Sequence, residues 1–397
     1  MLIEIILFMF LGIAAGTFTG LIPGIHINLV GVSLVALSAS LFSSLNPIYI
    51  VTFISSMAIT HTFLDFIPSI FLGCPDTDTE LSVLPGHELL KSGKGYEAVL
   101  LTIYGSLAAI FILIIITFPS ILILNNIYST LQKITPYILI SVMFFLIYVE
   151  KNRVSATLVI ILTGALGFII LNLSSLKEPL FPMLTGLFGT SMLIISIKNK
   201  VKIPEQEISK PKMDKSFLSP LMGATIAAPF SSLLPGLGSG QAAVLGNSIS
   251  KTGKRGFLFL LGATNTLVMG FSFVTFYAVL RTRTGAVVAI QEIAGNLSGK
   301  MLILILSIIT ISGIISFFWA ISLTKFFSKR ISTINYSRLS IITISTITIL
   351  VFLFSGGLGL IVFAVSTFTG IYCISLNVRR TNMMGCLLIP TIILYLF

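Results

Sequence analysis

A chain of 397 residues that is 55% hydrophobic and 9% charged, with a mean hydropathy of +1.07, has too much apolar surface to bury in a water-soluble fold. Its formal charge of +11 comes from short basic blocks between apolar runs, the pattern of membrane topology rather than of nucleic-acid binding. Cys74, Cys373 and Cys386 stand far apart, which argues against a disulfide framework or a zinc site, and no cofactor or metal is expected.

Apolar runs of roughly 17 to 25 residues fit helices that cross a hydrocarbon core about 30 Å thick. Segments of alternating polarity, the mark of a barrel, are missing. The expected fold class is an all-α polytopic membrane protein of about 10–12 apolar helices, multi-pass in the cell membrane.

The apolar N-terminus lacks a basic leader and a small-residue cleavage site, so it reads as a membrane element rather than a cleaved signal peptide. Residues 2 to 22 and 25 to 42 flank Pro23-Gly24. The proline removes a helical donor and the glycine permits a turn, which makes a broken helical hairpin. A segment at 46 to 72 follows, then a polar loop from Gly73 to Gly95 in which Pro85-Gly86-His87 reads as a turn.

Spans are expected at 96 to 118, 135 to 149, 153 to 173 and 180 to 197, with an interfacial stretch at 119 to 132. The longest soluble run, 198 to 215, links an N-terminal transmembrane half (1–197) to a C-terminal one (216–397). The second half opens with a hairpin at 217 to 250 around Pro235-Gly236. The basic turn from Lys251 to Arg255 follows, with a span at 256 to 280 and a mixed segment at 284 to 298. Spans near 300 to 323, 339 to 354 and 357 to 376 and an apolar piece at 382 to 397 complete the chain.

With the linker in the cytoplasm, 19 of the 24 lysines and arginines fall on that side, and only Lys133, Lys177, Arg281, Arg283 and Lys300 fall on the other. The two hairpins then enter from opposite faces, so the halves are expected to be inverted repeats. Interrupted helices at corresponding places in two halves point to a transporter binding site near the bilayer midplane.

The helix resuming after each break aims amide N–H groups and the positive end of its dipole at the break, which favours a carboxylate. The expected substrate site joins Pro23, Gly24, His26 and Asn28 to Pro235, Gly236, Gly238, Ser239, Gly240 and Gln241. Pro75, Asp76 and Thr77 in the polar loop, with Asn265 and Thr266 inside a span, are candidate substrate or ion contacts, and Asp76 and Asp78 also offer oxygens to a cation. His61 and Asp65, at i and i+4 on one helical face within apolar surroundings, are candidates for proton coupling. Arg281 and Arg283, if outside, would guide an anion inward. The stretch from Pro68 to Thr79 as a whole is a site candidate, because its prolines and glycine stop a helix and its hydroxyls could line a polar cavity. Plainer readings stay open: surface turns at the Pro-Gly pairs, a solvated loop at that stretch, helix packing at Asn265 and Thr266, water contact at Asp65, and a misplaced span boundary at Arg281 and Arg283. Walker, G-x-S-x-G and H-E-x-x-H patterns are missing, so the expected class is transport and not an enzyme.

The runs Gly16 to Asn28, Leu72-Gly73-Cys74-Pro75 with Leu84-Pro85-Gly86-His87, and Leu234 to Ala242 resemble the large membrane subunit of tripartite tricarboxylate transporters, the TctA family, in its archaeal branch. That resemblance implies secondary active uptake of a di- or tricarboxylate by symport with a coupling ion, H+ or Na+. It also implies two partners, a small membrane subunit and an extracytoplasmic binding protein. More weakly, the hairpins resemble those of families that return polyprenyl-phosphate carriers across the membrane. A scaffold subunit with no transport of its own is the remaining alternative.

Overall fold

The computed structural model describes residues 1–22, 46–72, 78–176, 179–198, 203–234, 237–333 and 335–396. Among them there is no strand, and eight helices are long and apolar enough to cross a membrane. Lipid offers the backbone no hydrogen-bond partners, and a helix satisfies its own N–H and C=O groups within one segment. Outward faces carry Phe118, Phe144, Phe318 and Phe368, the apolar surface that a bilayer covers.

In chain order the helices are α1 (Leu2–Leu21), α2 (Pro47–Leu64), α3 (Phe66–Leu72), α4 (Val83–Lys91), α5 (Gly95–Tyr148), α6 (Arg153–Leu171), α7 (Leu180–Lys198) and α8 (Leu218–Leu233). Then come α9 (Ser239–Ser250), α10 (Lys254–Val279), α11 (Gly285–Ala294), α12 (Gly299–Arg330), α13 (Tyr336–Ser375) and α14 (Gly385–Leu396). The second arm of the first hairpin, expected at 25 to 42, lies outside the described residues.

Three boundaries differ from those read off the sequence. The 46 to 72 run divides at Asp65, which ends α2 before α3 begins. Pro85-Gly86-His87 lies inside α4 rather than in a turn, because proline is tolerated in the first turn of a helix. The mixed segment at 284 to 298 contains the short helix α11.

The 54 residues of α5 form one continuous helical element, yet its two ends return to the same corner of the molecule. Glu97 near the start pairs with Arg255 at 2.6 Å. Phe145 near the end, and Val149 just beyond it, line one cavity with Lys254. A straight helix would hold these ends about 75 Å apart, so α5 is bent into a U. Pro119 and Pro136 lie within it, where a missing donor and a ring clash kink a helix. They bracket the stretch expected at the interface, and the two arms match the spans expected on either side. In α13 the bend falls at Gly356, whose φ of 67° and ψ of −163° lie where essentially only glycine is found. It separates the two spans expected at 339 to 354 and 357 to 376.

The centre is built from the segment Pro47–Leu72 and from α10, the two most buried of the candidate spans. Small residues let the other helices approach them: Gly12, Gly16 and Gly20 of α1 face α2, as small residues spaced by four do between membrane helices. Ser106 of α5 donates to the Gly262 carbonyl of α10 at 3.1 Å, and Ser316 of α12 donates to Thr60 of α2 at 2.8 Å. A second cluster joins α6, α7, α13 and α14 through Val159, Leu187, Cys373 and Cys386.

The soluble run between the halves is docked rather than loose. Glu207 N–H donates to the Gly93 carbonyl at 2.8 Å, and Gln206 accepts from Gly95 N–H at 2.7 Å while donating to the Leu90 carbonyl at 3.1 Å. The same corner holds the basic turn before α10, where Lys254 pairs with Glu88 and Arg255 with Glu97.

Candidate functional site

The second break lies between α8 and α9. Leu234 leaves α8 in extended conformation, Gly238 is also extended, and α9 starts at Ser239. The Gln241 carboxamide oxygen reaches back to accept from Gly238 N–H at 2.8 Å, which satisfies one of the free donors at a helix start. A Cβ at Gly238 would lie 3.1 Å from that oxygen and 3.5 Å from Asp78 Oδ1, so the tip has little room for a side chain.

The other donors at the start of α9 meet a carboxylate of the chain itself. Ser239 N–H donates to Asp78 Oδ1 at 3.2 Å and Ser239 Oγ donates to the same oxygen at 2.6 Å, with a further contact from Oγ to the Asp78 carbonyl at 3.2 Å. An anion at a helix N-terminus meets both oriented N–H groups and a favourable dipole. Gln241 is fully buried, and its Nε2 meets no acceptor among the described residues.

Arg283 closes the tip from the other side. Its Nε donates to the Ser231 carbonyl at 3.0 Å and its terminal nitrogen to the Leu237 carbonyl, while Ser231 Oγ also donates to Leu237 O at 2.8 Å. The guanidinium thus satisfies one carbonyl on each side of the break, Ser231 in the last turn of α8 and Leu237 just before α9, within electrostatic reach of Asp78. Arg281 donates to the Tyr395 hydroxyl at 3.0 Å. Both arginines are half-buried and hydrogen-bonded within the fold.

From Asp78 a polar track runs into the centre of the molecule. Thr79 and Ser69 share a hydrogen bond of 2.6 Å, and Ser69 donates to the Asp65 carbonyl at 2.7 Å. The Asp65 carboxylate, 4% exposed, accepts from Asn265 Nδ2 of α10 at 2.7 Å. One turn earlier Thr62 and Thr266 share a hydrogen bond of 3.0 Å. His61 Nδ1 lies 3.1 Å from Thr19 Oγ1 of α1. Water contact at Asp65, one reading of its place near a helix end, is replaced by burial between α2 and α10.

Along the second half of α9 lies a cavity of about 690 Å³ whose lining includes Leu81, Val244, Asn247, Lys151, Lys254 and Arg379. Leu81 and Val244 belong to an apolar cluster with Leu234 and Leu237 of the hairpin tip. Val244 lies only about 8 Å along α9 from Ser239.

The structure thus brings together Gly238, Ser239, Gly240 and Gln241 of the second break, and it joins Asp65 to Asn265 and Thr62 to Thr266. Pro23, Gly24, His26, Asn28, Pro75, Asp76, Thr77, Pro235 and Gly236 lie outside the described residues. Ser69, Asp78 and Thr79, all in the stretch from Pro68 to Thr79 whose hydroxyls were expected to line a polar cavity, and Arg283 are hydrogen-bonded at the α9 start or along the track from it. Asp78 carried a sequence signal as part of that stretch and as a cation ligand, but no local pattern pairs it with Ser239.

A model of the tripartite tricarboxylate transporter TctA family matches residues 6–385. An uncharacterised protein of Methanocaldococcus jannaschii is 31% identical over 401 residues, covering 98% of this chain and 99% of that protein. No solved structure matches the chain.

Proposed function

The chain belongs to the tripartite tricarboxylate transporter TctA family, a family of membrane transporter subunits, and from that premise we propose that it carries a di- or tricarboxylate across the cell membrane by alternating access. The observation that carries the reading is the start of α9, where Ser239 N–H and Oγ together hold a carboxylate oxygen. Ser239, the amides of Gly240 and Gln241, and the Gln241 carboxamide bind a carboxylate of the substrate. Gly24, His26 and Asn28 of the first break bind the same substrate. Asp65 and Asn265, with His61 nearby, hold the coupling ion, a proton or sodium. A small membrane subunit and an extracytoplasmic binding protein complete the assembly, the latter delivering substrate to the outer face.

The two halves, 1–197 and 216–397, act as inverted repeats. Thr60-His61-Thr62 in α2 and Thr264-Asn265-Thr266 in α10 are equivalent triplets, and the equivalent hydroxyls Thr62 and Thr266 meet at 3.0 Å. A residue pairing with its own counterpart is what a two-fold relation produces. An epitope tag on the N-terminus should then be reachable only from outside the cell, and a tag reached only from the cytoplasm would sink the inverted arrangement.

Uptake of labelled citrate and succinate into proteoliposomes, under separate proton and sodium gradients, tests the transport reading. Ser239→Ala is expected to lower uptake at least about tenfold, the effect of one lost charge-assisted hydrogen bond. Unchanged uptake by Ser239→Ala and Gln241→Ala would place the substrate elsewhere.

A further inference from the structure

Asp78 occupies the position that the proposed function gives to the substrate's carboxylate. We infer that Asp78 is a tethered competitor: its carboxylate and that of the substrate exchange on Ser239 at the start of α9, and an organic anion binds only when the Asp78 segment withdraws. This inference rests on the reading of the α9 start as the substrate site.

Asp78 fits the site incompletely. Its Oδ1 takes both donors of Ser239, while Gln241 Nε2, buried in the same cap, meets no acceptor among the described residues. The Gln241 oxygen is already committed to Gly238 N–H at 2.8 Å, so the unused nitrogen of that carboxamide belongs to the same few ångströms. A free carboxylate carries two oxygens and no chain constraint, so it can take Ser239 with one and Gln241 Nε2 with the other. Arg283, which lies within electrostatic reach of Asp78, attracts either anion. The substrate therefore has a hydrogen bond to gain that the resident carboxylate does not make.

Withdrawal of Asp78 is transmitted in two directions. Thr79, the next residue, holds Ser69 at 2.6 Å, and Ser69 holds the Asp65 carbonyl, so release at Ser239 loosens the polar track toward the Asp65–Asn265 pair. Leu81, three residues on, lines the cavity of about 690 Å³ and packs on the hairpin tip, so the same movement shifts one wall of that cavity. One exchange of carboxylates thus links substrate binding to the buried Asp65–Asn265 hydrogen bond and to the neighbouring cavity.

The size of the effect follows from occupancy. A ligand whose site is competent only a fraction of the time binds weaker by that fraction, and a carboxylate held on the same chain competes at an effective concentration of millimolar order. An occupancy of Asp78 between roughly 90 and 99% weakens the substrate about 10- to 100-fold.

The test is equilibrium binding of citrate and succinate to the full chain in lipid nanodiscs, with sodium present and pH held constant. Asp78→Asn keeps the shape of the side chain and an acceptor for Ser239 but removes the charge; it is expected to tighten binding about tenfold or more, as is Asp78→Ala. Ser239→Ala is expected to weaken binding. Weakened binding in Ser239→Ala with no tightening in either Asp78 variant overturns the competitor and leaves the site standing. Unchanged binding in both Ser239→Ala and Gln241→Ala overturns the site itself, and the competitor with it, as does absence of binding in every variant. A second measurement needs no substrate: a cysteine placed by Ser239→Cys should react with an anionic methanethiosulfonate reagent at least tenfold faster when combined with Asp78→Ala. Equal rates would overturn the exchange.

Discussion

Replacing Asn265 by leucine is expected to destabilise the protein by roughly 2–3 kcal/mol and to abolish coupled uptake. Asn265 donates to the Asp65 carboxylate at 2.7 Å, and both groups are 4% exposed. Removing a donor from a buried carboxylate costs more than the bond contributed, because the charge keeps its desolvation penalty without its compensation. Measured side-chain bonds between membrane helices are often weaker, since polar groups in lipid find substitutes, which sets the lower end of the range. The bond also crosses from the joint between α2 and α3 to α10, so its loss leaves the Thr62–Thr266 hydrogen bond to tie the two central segments. A double-mutant cycle over Asp65→Ala and Asn265→Ala, read by unfolding in nanodiscs, should return a coupling of about 1 kcal/mol or more. A coupling near zero would remove this pair from both stability and ion coupling.

The second large effect is steric. Gly262→Leu is expected to prevent the protein from accumulating in the membrane, and Gly262→Ala to cost about 1–3 kcal/mol. A Cβ at Gly262 would fall 2.0 Å from the Thr102 carbonyl oxygen, and one at Gly105 would fall 2.1 Å from the Phe259 carbonyl oxygen. Both obstacles are backbone, so α5 and α10 must part by about 1.5 Å to reach ordinary contact. The Ser106 hydrogen bond to the Gly262 carbonyl would lengthen with them. Gly189→Ala is the control, because nothing lies within 4 Å of the Cβ it would add. Comparable thermal midpoints for Gly262→Ala and Gly189→Ala would show that the close α5–α10 approach is not needed.

Much of the helical layout was legible because its causes are local. An apolar run must close its own backbone bonds in lipid, and proline or a glycine of unusual φ interrupts the run where it stands. The two arms of α5 on either side of Pro119 and Pro136, and the two of α13 on either side of Gly356, follow from those residues alone. The break at Asp65 was not legible in the same way, since Phe66 to Leu72 continues the apolar pattern and the carboxylate is placed by Asn265 of another helix. Pro85-Gly86 misled for a related reason: the pair suits a turn, but in the first turn of α4 proline loses no bond.

For the site, the sequence alone determined that a helix resumes after Leu234-Pro235-Gly236 and turns its donors toward the break, because helix polarity is a property of the local chain. Which anion meets those donors was decided only by tertiary packing. Asp78 and Ser239 are 161 positions apart, and Asp65 and Asn265 are 200 apart. A polar residue in an apolar run states that it needs a partner, since its burial is costly, but no periodicity names the partner. That choice comes from how α2, α5, α8 and α10 cross, and the crossings are set by the shapes of small residues in contact, such as Gly262 against Thr102.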